Sequence, residues 1–449
     1  MTAYGRTQYR PMDPPARRGP RRYLAGFLSA VVPGLGLLYA GRFGLAFAFL
    51  LPTIALLVLF ALVVLGAPTQ ALASLFDPTI LLVLLVLQGL VLLYRLLAVG
   101  SSVSDRRMGR FTGQDALPMM LLLAFVILPQ LWLAYATTVL RDTSEQIFLA
   151  GAEPGEQPRP LASPPNWSTG DRVNVLILGV DSGAGRTQSL TDTIIVASVD
   201  PVGETVSMLS VPRDLVDVPL PTGSRFSPKI NSLISYVEAN PTEFPGQGGD
   251  GVEVLATSLG LLLDRPIHYY ARVNLGGFVE VVDSLGGVDV QVTKSIDAPA
   301  YGGYGVDGFS IRPGRHHLNG GEALAYARIR KATGENDFTR AARQQEVLVA
   351  LRDRVVQGGF VTNVTGFLGA VGETLETDMP ADRLPFLAGL IDQIGRDEVY
   401  RAVIEPPLVE LTSDDRGSIL VPDVVAIRGL ADDLFPPPGT EPRVPGTAN

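Results

Sequence analysis

Three long apolar stretches near the start of the chain limit its possible folds more than any other feature of the sequence. They cover residues 43–66, 79–99 and 117–139. Each is long enough to cross about 30 Å of hydrocarbon at about 1.5 Å per residue of helix. Leu50–Leu65 and Ile80–Tyr94 contain no charged residue at all. This length and density predict membrane-spanning helices and argue against the buried helices of a soluble domain.

A fourth apolar stretch, residues 23–40, is shorter and differs in composition. Pro33, Gly34 and Gly36 interrupt it. Proline lacks the backbone donor that a continuous helix needs, so this stretch predicts a re-entrant or interfacial element. The region 23–140 is therefore expected to contain three crossings.

The placement of arginine predicts the orientation of these crossings. Residues 1–22 carry six arginines and the 100–116 loop carries three, whereas the 67–78 loop carries no cation. Cytoplasmic loops of membrane proteins are enriched in Arg and Lys, so the basic 1–22 segment and the 100–116 loop are expected inside the cell. Three crossings then place everything after residue 140 outside the cell. A fourth crossing would place it inside and reverse the charge rule.

The charge of the chain is divided unevenly. Residues 1–142 hold 12 basic and 5 acidic residues, a net of +7, while residues 143–449 hold 24 and 40, a net of −16. The overall charge of −9 argues against nucleic acid as a partner. The sequence has no Cys and only three His, which excludes thiolate chemistry and a His-based zinc site.

The part of the chain after the membrane region divides by composition. Residues 141–171 are rich in Pro, Gly, Ser and Glu and predict an extended linker. Residues 172–434 predict a folded domain. Residues 435–449 hold five prolines and predict a disordered tail.

The domain mixes strand and helix patterns without strict alternation. Short apolar runs predict strands at 173–180, 193–200, 205–212, 268–274, 288–292 and 398–410. Helical spacing predicts helices at 249–263, 276–287, 320–330, 339–356 and 381–394. The expected fold class is α/β or α+β, a mixed central sheet flanked by helices and preceded by a multi-span helical membrane region.

Two aspartates flank a glycine-rich loop after the first predicted strand. Asp181 ends the strand and Asp192 follows the loop. Two carboxylates beside a loop suit Mg²⁺ or Mn²⁺ bound together with phosphate oxygens. The same residues also suit an Asx-turn and a cap, and spacing does not separate the two interpretations.

Arginines cluster at two places in this acidic domain. Arg213 follows a predicted strand, beside Asp214. Farther on, five cations fall within sixteen residues, interleaved with Asp337 and followed by Gln344: Arg328, Arg330, Lys331, Arg340 and Arg343. Arg328 and Arg330 cannot share a face of one regular helix, so the helix is expected to end in an extended segment there. Arg340, Arg343 and Gln344 are expected to share a face. This positive island favours anion binding, although a solvated charged face would have the same composition.

Together, the two aspartates and the arginines suit phosphoryl transfer, in which a metal and guanidinium groups stabilise negative charge. At this point the residues resemble those of a known family, the LytR-CpsA-Psr family of bacterial cell-wall proteins. The motifs occur in order along the chain: NVLILGVDS, TDTIIVASVD, SVPRDL, KINSLISY, ARVNLGGFVEVVDSLGGVDV, GGEALAYARIRK and DFTRAARQQ.

The resemblance implies a membrane-anchored transferase. It would take a glycopolymer from a polyprenyl-pyrophosphate carrier in the lipid bilayer and join it to peptidoglycan through a phosphodiester. Asp181 and Asp192 would bind the metal. Arg213, Arg328 and Arg330 would bind the pyrophosphate. Further phosphate contacts would come from Lys229, Arg340, Arg343 and Gln344.

Three points of the resemblance stay open. The general base is not evident, and Asp214 and Asp337 are the candidates. The family commonly has Arg two residues before the second Asp, whereas this chain has Leu190, so Arg186 is the nearest arginine for that contact. The family's lipid slot would suit the apolar faces of residues 249–263 and 275–285.

Two alternatives fit the same residues. A polyprenyl-pyrophosphate phosphatase would use water in place of the peptidoglycan hydroxyl. A non-catalytic regulator or lipid-phosphate sensor would account for the extra membrane segments. The sequence names neither the glycopolymer nor the oligomeric state.

Overall fold

The computed structural model describes residues 22–66, 73–74, 77–104, 115–148, 161–163, 165–166, 170–180, 190–330, 332–359 and 363–444. The chain forms two compact units. One holds most of the membrane region, residues 1–66 and 82–138, and the other holds residues 67–81 and 139–449.

The membrane unit is helical, as the sequence predicts. Its helices are α1 (Arg22–Val31), α2 (Leu35–Tyr39), α3 (Phe43–Gly66), α4 (Pro78–Val103) and α5 (Ala116–Phe148). Three of them, α3, α4 and α5, are long and apolar enough to cross a membrane. Helix α5 runs to Phe148, so the linker predicted from residue 141 begins later than expected.

The stretch 23–40 is broken as its Pro and Gly residues predict. Gly34 separates α1 from α2 with φ of +99°, a backbone conformation that glycine adopts most readily. Gly36 packs so closely on α1 that a β-carbon there would lie 1.8 Å from the Ala25 carbonyl oxygen. The two short helices therefore form a tight hairpin, and its position relative to a bilayer stays a prediction.

A six-stranded mixed sheet forms the centre of the second unit. Its strands are β1 (Val173–Val180), β2 (Thr191–Asp200), β3 (Thr205–Ser210), β6 (Tyr269–Asn274), β11 (Leu375–Thr377) and β12 (Val399–Val403). Their order is β11-β6-β1-β2-β3-β12. Strand β1 runs parallel to β6 and antiparallel to β2, and β12 runs parallel to β3. The predicted mixed sheet is confirmed.

Smaller two-stranded sheets surround this centre. They pair β4 (Val218–Pro219) with β5 (Arg225–Phe226), β7 (Val288–Val292) with β10 (Gly314–Leu318), β8 (Ile296–Gly303) with β9 (Val306–Ile311), and β13 (Val409–Asp414) with β14 (Gly417–Pro422). The strand predicted at 398–410 is therefore two short strands, β12 and the start of β13.

Helices cover the sheet. They are α6 (Leu233–Ala239), α7 (Gly251–Leu263), α8 (Leu275–Ser284), α9 (Gly320–Arg328), α10 (Asp337–Val356), α11 (Val364–Thr374), α12 (Leu384–Gln393) and α13 (Val424–Leu434). Helices α6, α7 and α13 pack with Leu176 and Leu178 of β1 in the largest apolar core.

The segment after α13 corrects one prediction. The tail predicted to be disordered from residue 435 is packed through residue 444. Phe435 is buried, Arg172 donates through Nε to the Pro436 carbonyl, and the Gly439 amide donates to Asp200 Oδ2 at 2.8 Å. A run of prolines cannot form an α-helix, but it can lie extended against a core that offers such partners. Residues 445–449 lie outside the described residues.

Candidate active site

A cavity of about 510 Å³ lies beside the central sheet. Strands β1 and β6 line it together with helices α8, α9, α10 and α11. Such a volume is typical of a small-molecule or cofactor site.

Most of the cavity wall is apolar. Its aliphatic and aromatic side chains are Ile177, Leu178, Leu190, Val273, Leu275, Phe278, Val281, Leu324, Ala327, Val347, Leu348, Leu351, Val355, Phe367, Val371 and Leu375. The predicted slot therefore includes the 275–285 helix. The 249–263 helix does not belong to it: α7 is buried in the core with α6 and α13, and the apolar face of α10 takes its expected place.

The polar part of the wall gathers residues from four separate motifs. It consists of Asp192, Thr193, Arg213, Arg328, Arg330, Arg340 and Gln344, and Thr374 of α11 adds a hydroxyl outside these motifs. Asp192 lies in β2, beside a register shift between Gly179 and Val180 in β1. Arg213 follows β3. Arg328 ends α9, and Ile329 after it is extended with ψ of 129°, as the sequence predicts. The sheet thus brings together residues that are distant in the chain.

Arg213 is the centre of an ion-pair network. Its Nη1 lies 2.5 Å from Asp192 Oδ1, and its Nε lies 3.7 Å from Asp337 Oδ1. Asp337 Oδ1 also lies 2.8 Å from Arg340 Nη2 and 3.8 Å from Arg330 Nη1. One carboxylate therefore holds three guanidinium groups together, which suits orientation of these cations more than proton abstraction.

Lys229 is linked to this network through Asp214. Its Nζ lies 2.7 Å from Asp214 Oδ1, and Asp214 Oδ2 lies 3.8 Å from Arg213 Nε. Lys229 is predicted to point toward the phosphates, yet its ammonium group is bound to Asp214. Both candidates for the general base are thus paired with cations.

Arg340 is a buried cation in the cavity wall. It is 6% exposed, and burial lowers its pKa, while the nearby Asp337 carboxylate opposes that shift. An arginine side chain stays protonated in proteins even so. A buried, permanent positive charge beside an apolar cavity interacts strongly with an anion because water screens it poorly.

Arg343 corrects a prediction. Its Nη2 lies 2.8 Å from Glu335 Oε2, and its guanidinium donates to the carbonyls of Tyr326 and Ile329. Residues 343 and 344 are about 100° apart around a helix, so the arc facing the cavity includes Arg340 and Gln344 but excludes Arg343. Arg343 secures the end of α9 and is not part of the cavity wall.

The two neighbouring glutamines are likewise divided. Gln344 lines the cavity, and its Nε2 lies 3.4 Å from the Ala327 carbonyl. Gln345 is buried, and its Nε2 lies 2.9 Å from Ser210 Oγ and 2.8 Å from the Ala402 carbonyl. The Gln345 side chain therefore links helix α10 to strands β3 and β12.

Sequence reasoning missed Tyr304 and Glu335. The Tyr304 ring lies 5.9 Å from Arg328 Cζ, within reach of a cation–π interaction. Tyr304 lies between two glycines, GYG, in a hairpin turn, and an aromatic residue in such a turn was the available signal. Glu335 had no readable signal because its role depends on Arg343.

The predicted metal site is partly outside the described residues, as Asp181 and Arg186 both lie in 181–189. Among the described residues, no group of three or more His, Cys, Asp or Glu side chains is placed to hold a metal ion. Asp192 faces the cavity with its carboxylate beside Arg213. One carboxylate suits Mg²⁺ only when a second ligand and phosphate oxygens complete the shell.

Comparison with known proteins agrees with these motifs. A sequence model of the LytR_cpsA_psr family matches residues 148–405, more than half of the chain. A polyisoprenyl-teichoic acid–peptidoglycan teichoic acid transferase, TagU of Halalkalibacterium halodurans, is 32% identical over 216 residues, 48% of this chain and 64% of the relative. TagU of Bacillus subtilis is 30% identical over 214 residues, 48% of this chain and 62% of the relative.

Among solved structures, TagV of B. subtilis matches 59% of this chain and 98% of its own, with 27% identity and a TM-score of 0.47. In sequence, the matched part of the chain covers somewhat less than two thirds of the length of each TagU transferase. The match of the family model across the whole sheet, with the cavity and its arginines inside it, leads to one conclusion: the chain belongs to the LytR-CpsA-Psr family.

Proposed function

We propose that this protein transfers a glycopolymer from a polyprenyl-pyrophosphate carrier to peptidoglycan with formation of a phosphodiester. The observation that carries the proposal is the cavity, whose wall is apolar over most of its area and bears four arginines at its polar part. An apolar slot suits a polyprenyl chain, and clustered guanidiniums suit a pyrophosphate. The TagU relatives that match the chain are transferases between polyisoprenyl-teichoic acid and peptidoglycan.

The reaction is an in-line displacement at the sugar-proximal phosphorus. The acceptor hydroxyl forms a new P–O bond there and releases its proton to water, the bond to the bridging oxygen breaks, and polyprenyl phosphate leaves with the electron pair of that bond. Arg213, Arg328 and Arg330 stabilise the negative charge that spreads over the phosphate oxygens. Asp337 holds Arg213, Arg330 and Arg340 in place, as their separations of 2.8–3.8 Å support.

We propose that Asp181 and Asp192 hold Mg²⁺ or Mn²⁺, which would neutralise phosphate charge when bound. Asp192 also accepts a hydrogen bond from Arg213, so this carboxylate would connect the cation to the arginine network.

The membrane helices are proposed to hold the domain on the outer face of the cell membrane. Three apolar helices and the basic 1–22 segment support this orientation. A cysteine introduced at exposed Val202 and tested with a membrane-impermeant thiol reagent on intact cells should be labelled, because the native chain has no cysteine. Labelling only after lysis would contradict this orientation.

The transferase proposal is tested with the full chain in proteoliposomes. A polyprenyl-pyrophosphate-linked glycan and peptidoglycan are supplied with Mg²⁺, and the glycan joined to peptidoglycan is measured. Transfer should be lost with Asp192→Ala and Arg328→Ala and retained with Arg265→Gln, which alters an exposed ion pair with Asp432. Equal transfer by all variants would contradict the site, and release of free glycan phosphate without transfer would indicate a phosphatase.

A further inference from the structure

A second, polar groove of about 690 Å³ lies next to the cavity. Strands β9 and β10 and the start of α9 line it, from Tyr304 to Glu322. Its lining includes eight polar side chains: Tyr304, Asp307, Ser310, Arg312, His316, His317, Asn319 and Glu322. We refer to this surface as the hairpin groove.

Tyr304 connects the hairpin groove to the cavity. Its ring lies 5.9 Å from Arg328 Cζ, and Arg328 lines the cavity. A β-carbon at Gly276, next to the cavity residue Leu275, would lie 3.9 Å from Tyr304 Cε1. The ring is therefore located where the groove meets the polar part of the cavity.

The backbone at Tyr304 is held in an unusual conformation. Its φ is +52°, and that of Gly305 is +80°. Such hairpin turns favour Asn-Gly, because side chains other than those of Asn, Asp and Gly rarely adopt positive φ. The Tyr304 carbonyl packs on Gly321, where a β-carbon would lie 2.5 Å from its oxygen. The Tyr304 carbonyl therefore packs on α9, the helix that carries Arg328. Strained residues such as Tyr304 often cluster at functional sites.

The groove chemistry suits hydroxyl groups. Asp307 and Arg312 are exposed and supply an acceptor and donors. His316 Nε2 lies 2.8 Å from the Arg312 carbonyl. A carbonyl only accepts hydrogen bonds, so Nε2 donates to it, and Nδ1 is left for a further polar contact. Alternating donors and acceptors beside an aromatic ring suit a sugar chain, and they do not suit a lipid tail.

We propose that the hairpin groove is a glycan-binding subsite that holds sugar units adjacent to the pyrophosphate, with Tyr304 against the first of them. The proposal rests on the proposed transferase function. The bound sugars belong either to the donor glycopolymer or to the peptidoglycan acceptor, and both are hydroxyl-rich chains. Experiments with each of them separate the two sources.

The first experiment measures binding without catalysis. The full chain in nanodiscs is titrated with two soluble probes, a lipid-free glycopolymer fragment and a peptidoglycan-derived oligosaccharide, and binding is followed by calorimetry. One probe should bind to the wild type, and Arg312→Ala and His316→Ala should weaken it about tenfold, the loss of about one hydrogen bond to a charged or polar partner. Binding of neither probe, or equal binding by the variants, would overturn the subsite.

Tyr304→Asn and Tyr304→Phe refine this test. Asn suits the positive φ, so Tyr304→Asn should melt no earlier than the wild type and still lose glycan binding, whereas Tyr304→Phe keeps the ring and should bind. A matched control is Asp415→Asn, in the turn between β13 and β14. Unchanged binding by Tyr304→Asn would contradict the role of the ring.

The second experiment measures transfer with donors of one sugar and of many sugars. If the groove holds the donor, Arg312→Ala should lower kcat/KM only for the long donor. If it holds the acceptor, the variant should raise the concentration of peptidoglycan needed with either donor. If the wild type transfers glycan and these variants transfer it equally well, the subsite is rejected and the transferase function stands. Glycan binding without any transfer would reject the transferase and keep the subsite.

Discussion

Two pairs of residues on helix α10 differ in what their side chains contact, although each pair consists of one arginine and one glutamine. Arg340 and Gln344 line the cavity, whereas Arg343 and Gln345 leave the helix in two other directions and bind groups within the protein. Both arginines are at most 7% exposed, and burial lowers the pKa of both. Arg343 is bound to two backbone carbonyls and a carboxylate within the fold, whereas Arg340 shares Asp337 with two other arginines. Burial and residue type alone therefore do not identify a ligand-binding arginine.

The largest effect is expected from breaking the internal pair. Arg343→Gln leaves Glu335, whose side chain is 5% exposed, without its cation. Loss of one member of a buried pair costs about 3–5 kcal/mol, so the melting temperature of the second unit should fall by about 6–20 °C. Thermal unfolding of the full chain in detergent measures this, and Arg265→Gln is the control. An unchanged melting temperature would refute the structural role of Arg343.

On the cavity side, the effect should be on rate and not on stability. Arg340→Gln removes a positive charge that would face the pyrophosphate, and transfer should fall about 10²–10³-fold. Asp337 keeps Arg213 and Arg330 nearby, so the melting temperature should change by only a few degrees. Transfer kinetics and thermal unfolding on the same samples test this. A variant with a much lower melting temperature and a normal transfer rate would contradict this assignment of Arg340.

Asp378 contrasts with these paired arginines. It is buried, and no cation is paired with it among the described residues. Burial raises its pKa to about 7, against the hydrogen bond that it accepts from the Tyr270 amide. An acid with a raised folded-state pKa contributes most stability below its unfolded pKa and loses it as pH rises through about 7.

The stability of the wild type should therefore fall between pH 4 and 8, by at most about 1.4 kcal/mol per pH unit from this group. Asp378→Asn should flatten that dependence. Melting curves at several pH values measure the difference, and a parallel decline of both proteins would contradict the assignment.

The smallest effects are expected from the two glutamines. Gln345→Ala should destabilise the unit by about 1–3 kcal/mol, because buried polar partners in β3 and β12 lose their donor. Gln344→Ala should lower transfer about three- to tenfold, as one neutral hydrogen bond is worth about 1 kcal/mol. Melting and kinetic measurements on both should give opposite results, and identical profiles would show that the two glutamines do not have distinct roles.

The sequence predicts the parts of this molecule that depend on local patterns. The apolar run Val173–Val180 forms β1, the break after Arg328 is extended, and the long apolar stretches form helices α3 to α5. Periodicity and turn residues determine these features locally. The composition of the tail gave a wrong prediction of disorder, because the order of this segment depends on distant contacts and not on local pattern. Phe435 and Gly439 find their partners far away in the chain.

The candidate site was predictable in its residue types and less so in its geometry. Arg213, Arg328, Arg330 and Asp192 meet in one cavity wall as expected. Helical spacing placed Arg343 with Arg340, and only packing against Glu335 and α9 decides that it points away. Of the two helices expected to line an apolar slot, only α8 lines the cavity, because α7 and α10 are both amphipathic and the sequence does not show which one covers the sheet there.

The most direct test of the central claim measures the lipid bound in the cavity. The full chain in detergent is titrated with polyprenyl pyrophosphate and with polyprenyl alcohol, using the wild type, Arg340→Gln, and Val371→Trp, which would fill the apolar cavity. The account predicts that the wild type binds the pyrophosphate much more tightly than the alcohol, that Arg340→Gln loses this preference, and that Val371→Trp binds neither. Equal binding of both lipids by the wild type, or undiminished binding by Val371→Trp, would contradict it.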